Sequence, residues 1–283
     1  MDFKAYFNSF KIKKRFWFTL LADSAFFFLF TLVFAAFGAY IQRQSLTLTG
    51  GMSPAEVQQL MLASPEKAAV FLSQVKSFLA VIIIGIILLA VLTVLSYSLS
   101  QAWIWNFLHH QKLAKPTYWK WNTLNLALIF PLLIFGLGFL VIKLLFSWLI
   151  TFLLTINLKF YYGHTNLVEI IKTVLNGVVS FFMILLIMVF LFLAYHCFVQ
   201  RYKVWSSIGA AFELYKSKWK RIWKIMLWAL LTGIILNLAM YPLKTSLQFH
   251  PLLLLLLQLA VGLLFISWFR LYLLDTIADE HQS

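Results

Sequence analysis

Six runs of mostly apolar residues set the plan of this chain. A membrane-spanning helix needs about 20 such residues, and the runs fall at Phe16–Tyr40, Phe78–Ser100, Thr123–Ile142, Gly177–Val199, Ile225–Met240 and Leu252–Leu274. Between them the pattern changes. Ser53-Pro54-Ala55-Glu56 carries an N-cap, a proline suited to a first helical position and a capping-box glutamate, so a short helix starts there. A second start at Ser64-Pro65-Glu66-Lys67 predicts a longer helix that continues into the second span. Leu144–Ile156 is too apolar for open water and reads as an interfacial helix, a re-entrant piece or a tilted extension of the third span. Asn166–Gly177 has apolar Leu167, Ile170, Ile171, Val174 and Leu175 opposed by Glu169, Lys172 and Asn176, an amphipathic helix opened by an Asn-x-x-Glu box.

Composition confirms lipid as the main solvent. Of 283 residues, 63% are hydrophobic and 11% charged, against about half and about a quarter in a soluble domain. The fold class is therefore all-α: a polytopic integral membrane protein with six transmembrane helices and amphipathic interfacial helices. The basic, aromatic entries Lys11–Phe18, Lys115–Asn122 and Lys216–Ile225 resemble one another. They suggest three hairpins in one membrane domain, at 1–110, 111–205 and 206–283. Lysine and tryptophan also gather at any cytoplasmic entry without a repeat. The first apolar run is longer than the ~7–15 residues of a signal peptide, so it reads as an uncleaved span.

The formal charge of +14 and the stretch KSKWKRIWK, Lys216–Lys224, invite a nucleic-acid reading. Topology absorbs them. With six spans and both termini cytoplasmic, sixteen of the 23 Lys and Arg residues fall inside and seven outside, as the positive-inside rule asks of a cell-membrane protein. Phe212, Tyr215, Trp219, Ile222 and Trp223 share one helical face, while Lys216, Lys220 and Lys224 share another. This predicts a helix in the headgroup layer, its rings down and its ammoniums among anionic lipid heads. Lys216, Lys218, Lys220, Arg221, Lys224, Trp219 and Trp223 are thus candidate contacts to anionic lipid on the cytoplasmic side. Trp17, Trp103, Trp105, Trp119, Trp121 and Trp205 read as further interface anchors.

Polar groups inside the spans are costly and therefore informative. Asp23, His196 and Arg270 fall near the cytoplasmic ends of the first, fourth and sixth spans, with Asn125 and Tyr195 at similar depth. They form a candidate polar cluster that either pairs helices or lines a cytoplasm-facing pocket for an anionic head or a proton relay. Asn237 and Gln258 are candidates for hydrogen bonds between helices. Pro131 with Gly136 and Gly138 predicts a kink and a close-packing face in the third span. Lys143, ~30 Å along from Thr123, marks the outer interface. One cysteine, Cys197, excludes an internal disulfide. No motif points to a catalytic centre, a metal or a cofactor.

Ser206–Gly233, a small-residue helix with a Lys-x-x-Trp-like lead that turns up into a span, resembles the membrane domain attached to some glycerophosphodiester phosphodiesterases, and its stand-alone relatives. The resemblance covers the fourth to sixth spans and implies a six-helix bundle. It carries over no activity, because the soluble catalytic domain and its His/Glu/Asp metal cluster have no counterpart here. The functional expectation is a non-enzymatic membrane-organising or accessory subunit, whose partners are membrane lipids and another membrane protein. The alternative is a transporter or lipid-handling permease with a cytoplasm-facing pocket.

Overall fold

The computed structural model describes residues 6, 9, 14–156, 165–247 and 249–278. The basic positions Lys4, Lys11, Lys13 and Lys159 lie outside them. The elements are α1 (Lys14–Thr49), α2 (Pro54–Ala63), α3 (Pro65–Leu108), α4 (Lys115–Ile156), α5 (Thr165–Arg201), α6 (Val204–Ser217), α7 (Trp219–Ser246) and α8 (Pro251–Ala278). Six of these, all but α2 and α6, are long and apolar enough to cross a membrane. The protein is an all-α, multi-pass membrane protein.

Local sequence explains the breaks. Gly50 and Gly51 both take positive φ, 57° and 77°, and so turn the chain out of α1. The capping box at α2 forms as its residues require: Ser53 Oγ accepts from Glu56 N–H at 3.4 Å, and Glu56 Oε2 accepts from Ser53 N–H at 2.6 Å. Hydrogen bonding from Ser53, its backbone N–H first, holds the Glu56 carboxyl below its ordinary range. Pro65 then opens α3. Leu144–Ile156 resolves as a continuation of α4, with Lys143 placed over the Phe139 ring at 5.8 Å. Asn166–Gly177 is not a separate helix; it runs without a break into the fourth span as α5, with Ile170 and Val174 exposed. Neither stretch holds a proline, the single Gly177 is carried within α5, and an uninterrupted helix satisfies every backbone group in lipid.

The chain falls into two compact units, Ala22–Gln101 and the remainder. The first is an antiparallel hairpin of α1 on α3. Phe26 meets Tyr97 edge-on at 5.4 Å, Ser100 Oγ donates to the Ala22 carbonyl at 3.5 Å, and the Phe37 ring occupies the place a Cβ on Gly85 would take.

The second unit is the bundle of α4 to α8 with the start of α1 and the end of α3. Asn125–Tyr195 and Trp121–Phe198 contacts run α4 antiparallel to α5. Trp105–Phe192 and His109–His196 contacts run the end of α3 parallel to α5. One end of this unit therefore gathers the ends of α3 and α5 and the start of α4; it is called the basic end below. α6 buries Ser207, Ile208, Ala210 and Ala211 and sets Phe212 against Phe135 and Phe190.

Three readings are corrected. The KSKWKRIWK stretch is not one helix: α6 ends at Ser217 and α7 starts at Trp219. Its ring row packs partly on protein, with Ile222 fully buried and Trp223 edge-on to Phe182 at 5.1 Å. Trp105 and Trp121 are core residues rather than interface anchors, both at 0% exposure, whereas Trp17, Trp103, Trp119 and Trp205 are exposed. Gly136 and Gly138 make no close-packing face, since nothing lies within 4 Å of a Cβ at either among the described residues.

One contact had no sequence signal. Tyr6 is buried, stacks on Trp228 at 4.3 Å and meets Trp268 and Tyr272 edge-on. Thr232 gives its hydroxyl proton to the Trp228 carbonyl, so Tyr6 donates its own to Thr232 Oγ1 at 2.8 Å. Ser9 Oγ accepts from the Trp268 indole at 3.0 Å. Tyr6→Phe removes one hydrogen bond and is expected to cost about 1 kcal/mol. Tyr6→Ala opens a cavity and is expected to cost about 3–5 kcal/mol. Thermal unfolding of the two variants in detergent checks the order.

Candidate functional site

Two helix ends meet at the basic end, and each stops on a residue in the left-handed region. α3 closes with the double hydrogen bond of a Schellman motif, His110 N–H to Phe107 C=O at 3.2 Å and Gln111 N–H to Asn106 C=O at 2.8 Å. α5 closes with Tyr202 N–H on Phe198 C=O at 2.7 Å. Glycine is usual at such positions, yet here His110 has φ 54° and Tyr202 φ 49°. A side chain there costs about 1–2 kcal/mol, so its partners are worth tracing.

The partners form a polar network in three hydrogen-bonded groups. His110 Nε2 lies 2.9 Å from an Arg15 guanidinium nitrogen. His109, its neighbour, points the other way: its Nε2 lies 3.2 Å from His196 Nδ1, and His196 Nε2 lies 3.1 Å from the Gln200 amide. The Tyr202 hydroxyl sits 2.5 Å from Asn106 Oδ1 and 2.7 Å from Gln111 Oε1. One hydroxyl has one proton. Asn106 is oriented by its own Nδ2–H on the Ala102 carbonyl at 2.8 Å, so Tyr202 donates to Asn106, and the Gln111 amide turns to donate to Tyr202. Arg15, Asn106, His109, His110 and Gln111 thus tie the chain around α1 and α3 to α5.

Beneath this network lies an aromatic layer. Trp105 packs on His109, Phe192 and Tyr195, and Trp121 packs on Tyr195 and Phe198. Tyr195 donates to Asn125 Oδ1 at 2.7 Å, fully out of solvent. Asn122 and the Trp121 indole N–H are buried beside them and have no hydrogen-bond partner among the described residues. The layer therefore holds spare hydrogen-bonding capacity in a dry setting, where such capacity is rare.

Of the residues expected to cluster, the structure joins Asn125 with Tyr195, while His196, the next residue along α5, bonds His109 instead. Arg270 is buried, its guanidinium 5.1 Å from the centre of the Phe192 ring. Asp23 is buried and belongs to the α1–α3 hairpin unit. Lys216, Lys220, Lys224, Trp219 and Trp223 are exposed, and Lys218 and Arg221 half-buried. Lys218 also reaches the Ile277 carbonyl at 3.5 Å. Sequence reasoning missed Asn106, His109, Asn122 and Tyr202. The signal was a repeated Trp-Asn pair, Trp105-Asn106 and Trp121-Asn122, each with a polar residue four positions after the tryptophan, His109 and Asn125.

Chemically the network offers the bonded His109–His196 imidazole pair, three amides, and a third imidazole, His110, on the Arg15 guanidinium. Among the described residues no third histidine, cysteine or carboxylate joins the pair as a metal site. Burial pushes the Tyr202 phenol up and keeps it a donor, and Tyr215, near the end of α6, is pushed up to about 12 for the same reason. No protein-family model, no curated protein and no solved structure matches the chain.

Burial holds His109 below the ordinary histidine value, and the nearby Arg15 and His110 charges add to this. A histidine depressed by folding binds fewer protons folded than unfolded. Its neutral ring thus supports the fold fully above about pH 6.5, and that support is lost as pH falls through the lower, folded value. The melting temperature in detergent is expected to drop between about pH 7.5 and about pH 5. His109→Gln, which can still bond His196, should flatten that drop; an unchanged slope would assign it to other groups.

Proposed function

We propose that this chain is a non-enzymatic, membrane-organising accessory subunit of the cell membrane, with its basic end and both termini in the cytoplasm. The observation that carries the reading is the bareness of three spans. In α1, α3 and α4 only 6%, 6% and 11% of the apolar window is buried, against 28–33% in α5, α7 and α8. Lipid covers bare helices, but only to the depth of its hydrocarbon.

Length is what lipid does not answer. α3 and α4 have 44 and 42 residues, about 66 and about 63 Å at helical rise, twice the ~30 Å hydrocarbon thickness. Tilt absorbs part of such a mismatch. The far stretch of α4 stays apolar to its end, with Leu144, Leu145, Trp148, Leu149, Phe152 and Leu153 all exposed. A partner membrane protein is the cover this face fits. The lysines at the basic end would hold the assembly against anionic heads, each contributing about 1 kcal/mol.

The transporter or lipid-handling reading has its polar groups at the basic end. Fully buried Trp105 and Trp121 fill the space beside Asn125 and Tyr195, which favours the accessory role over a pocket there.

Gentle extraction followed by native mass spectrometry tests the proposal. A stoichiometric membrane-protein partner is expected, and it should be lost when Leu145, Trp148 and Phe152 are replaced by serine. Recovery of the chain with mixed bulk lipid alone, or with one stoichiometric solute, would sink it.

A further inference from the structure

A cavity of about 220 Å³ opens between α5, α7 and α8, away from the basic end. Its wall is apolar: Phe181, Leu236, Met240, Val261 and Phe265. Two glycines shape it in opposite ways. The Phe181 ring fills the place of a Cβ on Gly233, 2.5 Å away, so Gly233 seats that ring as part of the wall. A Cβ on Gly262 would meet nothing within 4 Å, so Gly262 leaves the space open.

Three polar residues break this apolar lining, Asn237, Gln258 and Lys244. Asn237 and Gln258 are exposed on their helices. Asn237 lies nine residues before the end of α7 and Gln258 seven after the start of α8, about 14 and about 11 Å along their axes. They do not bond each other across the helices. Lys244 Nζ donates to Asn237 Oδ1 at 2.7 Å.

That bond is unusual in direction. A lysine near a span end ordinarily reaches outward to the headgroups. Lys244 instead turns back along its own helix to a residue seven positions earlier, which brings its ammonium to the cavity. The amide oxygen takes one of its three N–H groups and none of its charge. No carboxylate pairs with it among the described residues, and the Gln258 amide has no hydrogen bond there either.

We infer that this cavity binds one anionic phospholipid. Its acidic head sits on Lys244 with the amides of Asn237 and Gln258, and one acyl chain lies along Phe181, Val261 and Phe265. A purely apolar ligand would leave the cation unanswered, and a small soluble anion would have no use for the wall. The bilayer around α7 and α8 supplies a molecule with both parts. The site uses none of the bare α4 surface on which the accessory role rests, and it lies apart from the lysines at the basic end.

The full chain, delipidated in detergent, is offered phosphatidylglycerol, phosphatidylcholine or oleate, and bound molecules are counted by native mass spectrometry. One phosphatidylglycerol is expected to stay bound where phosphatidylcholine and oleate wash off. Lys244→Gln should weaken it about tenfold, the loss of one charge-assisted contact. Gly262→Leu should block it while leaving the melting temperature unchanged, and Lys220→Gln at the basic end should do nothing. Equal retention of phosphatidylcholine, preference for oleate, or indifference to Lys244→Gln would overturn the assignment. If Gly262→Leu melts early, the smaller Gly262→Ala in its place must still reduce retention. A partner protein found or missing on α4 bears on neither outcome.

Discussion

The seam between α4 and α5 is the constraint from which the larger unit follows. Tyr195 bonds Asn125, Trp121 fills the space between Tyr195 and Phe198, and both rings are out of solvent. In lipid the usual drive to bury apolar groups is absent between helices, because the tails are as apolar as the side chains. Shape and hydrogen bonds must then choose the partner. A tyrosine hydroxyl on an asparagine oxygen fixes the register of two long helices, and a tryptophan wedge beside it makes slippage cost packing. α6 lies on the same pair, and Trp105 brings the end of α3 onto it.

That dependence explains which parts of the fold were legible in the chain. Span number and rough position were, because the need to satisfy every backbone amide in lipid leaves only long apolar helices. The capping box at Ser53 and the restart at Pro65 were, because caps are local. The uninterrupted courses of α4 and α5 were less so. Lys143 and the Asn166–Glu169 pattern looked like boundaries, but neither breaks a helix unless the chain gains something by leaving it. The break at Lys218 went unseen for the opposite reason. The apolar spacing continues across it from Tyr215 to Trp219, and only the packing of α6 against α5 turns the axis.

The candidate site was half legible. Tyr195, Asn125 and His196 stood out as polar residues in apolar runs. Trp105 and Trp121 did not, because a tryptophan near a span end fits an interface belt as well as a core. His109 and His110 point apart, as adjacent residues at a helix end do, and each finds a partner. Those partners come from Arg15 and His196, 95 and 87 positions away. Contacts of that separation are set by the assembled bundle and leave no local trace.

Tyr6 carries the same lesson into time. Its hydrogen bond to Thr232 spans 226 positions. A ribosome adding about 5–20 residues per second needs roughly 10–45 s to make that interval. Throughout it the Tyr6 ring has neither Trp228 nor Trp268 to rest on. An aromatic group made early in synthesis is thus among the last to dock, and its docking can begin only once α7 and α8 are both in the membrane. Anything that holds this segment during synthesis, whether a chaperone, a fused tag or the lipid surface itself, competes with the closing step of assembly rather than with its start.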